Sequence, residues 1–381
     1  RETLVLGLPL VGSSLAQMAL HVTDTVMVGW YGVVPLAAVV LGASSFFIIF
    51  VLGSGFAKAV MPMVAAALGR GDEAQVRRDT RMGIWLSIAY GLLVLPIFWW
   101  SGTILDALGQ KPEVTAIAQD YMRIVGFGMV PALAVTVLQS YLSALHRTQA
   151  VLWATLAAVG LNILVNWLLI FGNAGFPELG AQGAALATIS TQLLSVVVLS
   201  LYAGLQPELK RFRLFQRFWR PDWHAMRLVW RLGVPIGLTG LAEGGLFQAS
   251  ALMMGWIGTV QLAAHGIALE VAALTFMMHV GVSSAATIRA ARFDGQGDRV
   301  ALRRAAKVAV VISLGIAAAS VVLFLSAPRP IVALFLDLSK PESAAILAYG
   351  VVLLGLAALF QLADGMQVLA LGLLRGVQDT R

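Results

Sequence analysis

Three carboxylates, Asp24, Glu243 and Asp364, stand in stretches that are otherwise almost wholly apolar. A charge at the centre of a membrane-spanning helix costs ~2.5–3.5 kcal/mol on insertion scales, so such a residue is seldom kept without a use. Facing a wet cleft, a carboxyl group exchanges a proton or keeps its charge by coordinating a cation. Either behaviour couples an ion gradient to movement. The structural alternative is an acid that snorkels to the interface or pairs with a base. That alternative carries most weight for Asp24, in the outward half of its helix. Glu243 and Asp364 have no basic residue within a turn on their own helices. Asn162 and Asn166 stand four residues apart and so share one helix face. They serve equally as interhelical hydrogen-bond glue, worth ~0.6 to 2 kcal/mol, or as neutral ligands. The same two roles stay open for Gln139, Gln192, Gln248, Gln361 and Gln367, and Lys58 faces either a cavity or a headgroup.

The elements that must position these residues occur twice. A shift of 226 positions lays Leu6-Gly7-Leu8-Pro9 over Leu232-Gly233-Val234-Pro235, and Met27-Val28-Gly29-Trp30-Tyr31-Gly32 over Met253-Met254-Gly255-Trp256-Ile257-Gly258. The same shift puts Gly69-Arg70-Gly71-Asp72 on Gly295-Gln296-Gly297-Asp298 and Arg77-Arg78 on Arg303-Arg304. A match that stays in register through separated patches is a duplicated fold unit. The acids break this symmetry: Ser250 matches Asp24, Gln17 matches Glu243, and Val135 or Thr136 stands opposite Asp364. A scaffold need would appear in both halves, so the acids point to a substrate or ion instead.

With 59% hydrophobic and 12% charged residues in 381, and a mean hydropathy of +0.85, the chain has more apolar surface than a soluble core of its length hides. It reads as an all-α integral membrane protein, since ten-residue alternating strands are absent. Helices are expected over 4–29, 36–66, 82–103, 115–145, 150–172, 181–204, 230–256, 262–288, 308–327 and 344–374. A net charge of +7 and a pI near 10.0 invite a nucleic-acid reading, but the distribution opposes it. Every second connection is basic and, with the two ends, holds 21 of the 26 Lys and Arg, from Arg1 through Arg70 and Lys210 to Arg375 and Arg381. The opposite loops carry Lys111, Arg329 and Lys340. By the positive-inside rule both ends face the cytoplasm.

The chain therefore divides into an N-terminal six-helix bundle over 1–204, a basic cytoplasmic linker over 205–231, and a C-terminal bundle over 232–381 that repeats helices one to four. An even number of helices separates the two starts, so the bundles are parallel repeats about an axis along the membrane normal. The sequence stops where counterparts of helices five and six would follow, and a continuation on the order of 55 residues with helices eleven and twelve is expected.

Several chemistries find no support. Zero cysteines remove disulfides and thiolate metal sites. The five histidines, His21, His146, His224, His265 and His279, lack four-residue spacing and acidic company, so no haem or transition-metal site is expected. The glycines of Gly69–Asp72 lack a following Lys-Ser/Thr, so nucleotide binding is not indicated. Met and aromatic residues are mostly core and lipid-facing filler, a minority suiting a pocket for flat cations. An embedded enzyme would need a nucleophile, metal set or cofactor motif, and none is visible.

Four motifs together resemble the multidrug and toxic compound extrusion (MATE) family, within a larger group of two-bundle flippases and exporters. They are Val22-Thr23-Asp24-Thr25-Val26-Met27-Val28-Gly29, Asn162-Ile163-Leu164-Val165-Asn166 with Phe171-Gly172, the run Gly180 to Thr188, and Phe360-Gln361-Leu362-Ala363-Asp364-Gly365-Met366-Gln367 with Gly372 to Gly376. Having both Glu243 and Asp364 in the second bundle is similar to the NorM-type branch. The resemblance implies a MATE/MOP-type fold and a cation-coupled antiporter of the cytoplasmic membrane, exporting organic cations against Na+ or H+ without a cofactor. It implies a cation site at Glu243 and Asp364 and a first-bundle acid site at Asp24 with Asn162 and Asn166. The expected partners are small organic cations and the lipid bilayer, not nucleic acid, and a monomer is expected. The nearest rival is a lipid-linked saccharide flippase, which should line its cavity with several bases for a pyrophosphate; this chain offers Lys58 and Arg123.

Overall fold

The computed structural model describes residues 2–107, 109–110, 112–336 and 343–380, and these are almost wholly helical. Lipid offers a backbone no water to bond, so each crossing must satisfy its own N–H and C=O groups, as an α-helix does. The helices are α1 (Glu2–Tyr31), α2 (Val33–Gly69), α3 (Glu73–Trp99), α4 (Ser101–Ala107), α5 (Pro112–Gly126), α6 (Met129–Ala144), α7 (Thr148–Phe171), α8 (Ala181–Leu205), α9 (Trp223–Ile257), α10 (Thr259–Gln296), α11 (Arg299–Ser326), α12 (Pro328–Ala333) and α13 (Ser343–Gly376). Among the described residues eight helices are long and apolar enough to cross a membrane, and α5 with α6 make a ninth crossing if taken as one. The crossing expected over 230–256 forms as α9, yet it falls outside that set. Gly240, Glu243, Gly244, Gly245 and Gln248 crowd its middle and dilute its hydropathy. Arg1, Lys111, Lys340 and Arg381, which entered the charge count, lie outside the described residues.

Where hydropathy ends is not where a helix ends. α3 starts at Glu73, not 82, because the Asp72 carboxylate accepts the Gln75 amide at 2.9 Å. α11 starts at Arg299, not 308, because Asp298 accepts the amides of Val300 and Ala301 at 3.1 and 2.8 Å. α9 starts at Trp223, not 230, with Asp222 accepting from His224 and Ala225, both at 3.1 Å. These caps satisfy orphan N–H groups outside the apolar stretch. The single helix expected over 115–145 is instead α5 and α6, bent by 47°. Pro131 in the first turn of α6 has no N–H for the Phe127 carbonyl, and the ladder breaks there.

The repeat is written in the backbone as well as in the residues. Gly32 and Gly258 are one-residue hinges between α1 and α2 and between α9 and α10, each closing onto the carbonyl four residues back at 3.1 and 3.2 Å. Gly71 and Gly297 both take left-handed φ, 75° and 72°, just before the capping aspartates. Trp30 and Trp256, also equivalent, are 74% and 76% exposed, as interface anchors should be. Asp72→Ala and Asp298→Ala are each expected to lower stability by ~1 kcal/mol, the worth of an N-cap. Thermal unfolding of the purified protein checks this, and equal losses are expected because the two caps are copies.

By contacts the chain forms two compact units, one of Arg1–Leu15 with Ala242–Val377 and the other of Ala16–Leu241 with Gln378–Arg381. The opening turns of α1 thus belong with the second half of the chain and those of α9 with the first. Within the second unit the core joins Phe98, Tyr121, Met122, Leu133, Ile170 and Ala184. Within the first it joins Val271, Phe324, Val332, Leu354 and Ala358. The ion pairs Arg78–Asp222, Arg147–Glu208, Arg211–Glu73 and Arg289–Glu2 all lie at helix ends or in the basic connections.

Candidate functional site

In the unit of 16–241, α7 and α8 bring their polar side chains to α1. Asn162 and Asn166 sit four apart on one face of α7 and are both buried, at 1% and 0% exposure. Asn162 Nδ2 donates to Asp24 Oδ1 at 3.0 Å and Asn166 Nδ2 to the same oxygen at 2.6 Å. Thr188 on α8 shares its one hydroxyl proton between the Ala184 carbonyl at 3.0 Å and Asp24 Oδ2 at 3.3 Å. Asn166 also donates to Asn162 Oδ1 at 3.1 Å, which locks the two amides in one orientation. Asp24 does not snorkel: the Asn162 and Asn166 amides, with the shared Thr188 hydroxyl, hold its carboxylate inward. Asn166 Oδ1 is buried without a donor among the described residues, an acceptor that a cation would satisfy.

In the other unit, Glu243 of α9 and Asp364 of α13 are brought together through Gln367, and Asp364 lies within electrostatic reach of Glu243. Gln367, three residues after Asp364 and so on its helix face, donates Nε2 to Glu243 Oε1 at 3.0 Å. None of the ion pairs among the described residues involves Asp24, Glu243 or Asp364. Both acids are half-buried. The position matching Glu243 carries its neutral counterpart: Gln17 Nε2 reaches Gln139 Oε1 at 3.4 Å. One half thus holds an amide pair where the other holds a carboxylate and an amide.

The five candidates therefore gather as Asp24 with Asn162 and Asn166, and as Glu243 with Asp364. Sequence reasoning assigned no role to Thr188 and left Gln367 open. Thr188 lies in the quoted Gly180–Thr188 run, but its role shows only once α8 is placed against α1. Other polar residues are partly taken up by packing, His279 Nε2 and Gln361 Oε1 staying without a partner among the described residues. His279 Nδ1 meets Ser313 Oγ at 2.9 Å, and its ring fills the space a Cβ at Gly365 would need. Gln361 donates to Thr275 Oγ1 at 2.5 Å and to the Ala272 carbonyl at 3.0 Å. Among the described residues no three metal-ligating side chains cluster. Arg123, one of two bases a flippase cavity would draw on, donates to the Trp99 carbonyl at 3.1 Å and stacks 5.3 Å over that indole.

Against known proteins, the MatE family profile matches residues 9–168 and 235–381. Proteins carrying the name "Probable multidrug resistance protein NorM" align over the whole chain: that of Rhizobium meliloti (strain 1021) is 46% identical over 380 residues, covering 100% of this chain and 81% of its own length. That of Agrobacterium fabrum (strain C58) is 47% identical over 381 residues, covering 100% and 82%. Among solved structures, a multidrug resistance MATE family transporter of the MOP superfamily in its outward-facing conformation superposes with a TM-score of 0.89 at 20% identity, over 100% of this chain and 83% of that one. The eukaryotic MATE transporter AtDTX14 gives 0.85 at 20% identity, over 99% and 83%. The duplicated helical plan, the asymmetric acids and the alignment along both halves agree, and the chain belongs to the MATE family.

Proposed function

We propose that the protein exports organic cations across the cytoplasmic membrane in exchange for entering Na+ or H+, by alternating access. The observation that carries this is that Gln367 ties Asp364 of α13 to Glu243 of α9 and that, among the described residues, neither acid is in an ion pair, Arg375 being the base within electrostatic reach of Glu243. Two carboxylates at close quarters in a low-dielectric setting repel unless something positive lies between them. An organic cation and a small inorganic cation answer that need equally, but not at once. Ion entry from outside and occupation of the acids then favour release of the organic cation to that side, the differential affinity that a shift between states requires. Asp24, held by two amides and the shared Thr188 hydroxyl, is a second place where a cation gains from fixed negative charge. Apolar walls suit amphipathic, often aromatic cargo, since burial supplies affinity while charge selects the class. The NorM-named relatives support the multidrug reading.

Inverted vesicles carrying the full protein test the coupling. A tenfold Na+ gradient and, separately, a tenfold H+ gradient are imposed and uptake of a fluorescent cationic dye is followed. Each supplies ~1.4 kcal/mol per ion exchanged, enough for about tenfold accumulation at one-for-one exchange. One of the two gradients is expected to drive the dye. Accumulation under neither removes cation exchange from the protein.

A further inference from the structure

We propose that the linker between the halves is a docking surface for anionic phospholipid headgroups of the cytoplasmic leaflet. It is folded rather than slack. Arg81 of α3 is buried and donates to the Gln216 carbonyl at 2.9 Å and the Arg217 carbonyl at 2.7 Å. Trp85, one turn further along α3, donates to the Phe218 carbonyl at 2.9 Å and stacks on the Phe218 ring at 6.1 Å. Phe212 and Leu214 are buried beneath. With the inner side pinned, the segment turns Arg213, Arg217 and Arg220 outward, all exposed, together with Trp219 at 73% exposure. The platform continues onto α9 as the stripe Trp223, Arg227 and Trp230, at the i, i+4, i+7 spacing of one helix face and exposed throughout.

Two features point to a ligand rather than to incidental charge. Arg213 and Arg217 take left-handed backbone, φ 47° and 55°, which glycine adopts freely and an arginine does not. The chain keeps arginine side chains where the backbone favours having none. Exposed Trp side chains also alternate with the guanidinium groups, and an indole body with a polar edge settles at the headgroup level, where Arg forks match phosphate. The acids nearby are paired, Asp222 with Arg78, Glu208 with Arg147 and Glu73 with Arg211, and none of the ion pairs among the described residues takes Arg213, Arg217 or Arg220. An anionic lipid surface is the partner such a basic aromatic segment beside a membrane span fits.

The test uses the full protein in nanodiscs of phosphatidylcholine containing brominated phosphatidylglycerol, and the reciprocal mixture with the bromine on phosphatidylcholine. Quenching lost in Trp219→Phe isolates the contribution of Trp219. Stronger quenching by the brominated phosphatidylglycerol is expected at equal mole fraction. Combining Arg213→Gln, Arg217→Gln and Arg220→Gln should erase that preference, at about fivefold in lipid affinity for each arginine removed. The matching triple lysine variant should keep it, which separates charge from misfolding. Equal quenching by the two lipids, no quenching of Trp219 by either, a preference intact in the glutamine variant, or its loss in the lysine variant each overturns the proposal. No transport is measured, so the outcome stands apart from that of the exchange experiment.

Discussion

Asp364→Asn is expected to lose gradient-driven efflux of a cationic dye while the folded protein becomes no less stable. A charged ligand removed from a desolvated site is worth ~2–3 kcal/mol, which is on the order of 30- to 150-fold in apparent cation affinity. The same substitution removes repulsion between Asp364 and Glu243, so thermal unfolding should stay level or rise. Asp24→Asn should behave differently. Its carboxylate accepts from Asn162, Asn166 and Thr188, and an amide in its place turns an NH2 group toward donors, at ~1–3 kcal/mol for buried groups left unpaired. Both variants lose charge, but only Asp24→Asn should also lower the unfolding temperature. Dye efflux from cells with the full protein and thermal unfolding of the purified protein read the two effects. Unchanged efflux in Asp364→Asn and Glu243→Gln would remove both acids from coupling, and a stability loss in Asp364→Asn would make it scaffold.

What the sequence could and could not disclose follows from the range of the interactions. The crossings were legible because burial in lipid leaves long apolar runs, and all ten expected helices form, one of them as the bent pair α5–α6. The ends at Glu73, Trp223 and Arg299 were not, because Asp72, Asp222 and Asp298 extend helices past the point where hydropathy falls. The short α4 and α12 gave no signal, being six or seven residues beside longer spans. At the site, the shared face of Asn162 and Asn166 is a local fact and was visible. The meeting of Asp24 with that face spans 138 residues, and that of Gln367 with Glu243 spans 124. Composition says nothing at that distance. Resemblance grouped Asp24 with the asparagines and Glu243 with Asp364; no motif reasoning supplied Thr188 or Gln367.

Gly55→Ala and Gly281→Ala should be among the more damaging single-methyl changes, and damaging to a similar degree. The two positions are 226 apart and hold equivalent crossings. A Cβ on Gly55 of α2 would lie 2.5 Å from Gly237 N and 2.8 Å from its Cα on α9. One on Gly281 of α10 would lie 2.7 Å from Val11 N and 2.8 Å from its Cα on α1, and Val11 is the repeat image of Gly237. In lipid, helices associate through such close backbone approach rather than through hydrophobic exclusion, so small residues at the crossing set the packing. Backbone cannot swing aside as a side chain can, and overpacking of this kind costs ~1–3 kcal/mol or more. Gly315→Ala on α11, where a Cβ meets open space, should instead gain ~0.5–1 kcal/mol from reduced chain entropy. Thermal unfolding of the three variants decides it, and a neutral Gly55→Ala would deny the crossing its role. The contrast with the acids is physical: packing between duplicated helices must be met twice, so its residues repeat, whereas a cation needs its negative charge only where it binds. Gly55 and Gly281 obey the repeat, Asp24, Glu243 and Asp364 break it, and the glycines should fail in folding, Glu243 and Asp364 in exchange, and Asp24 in both.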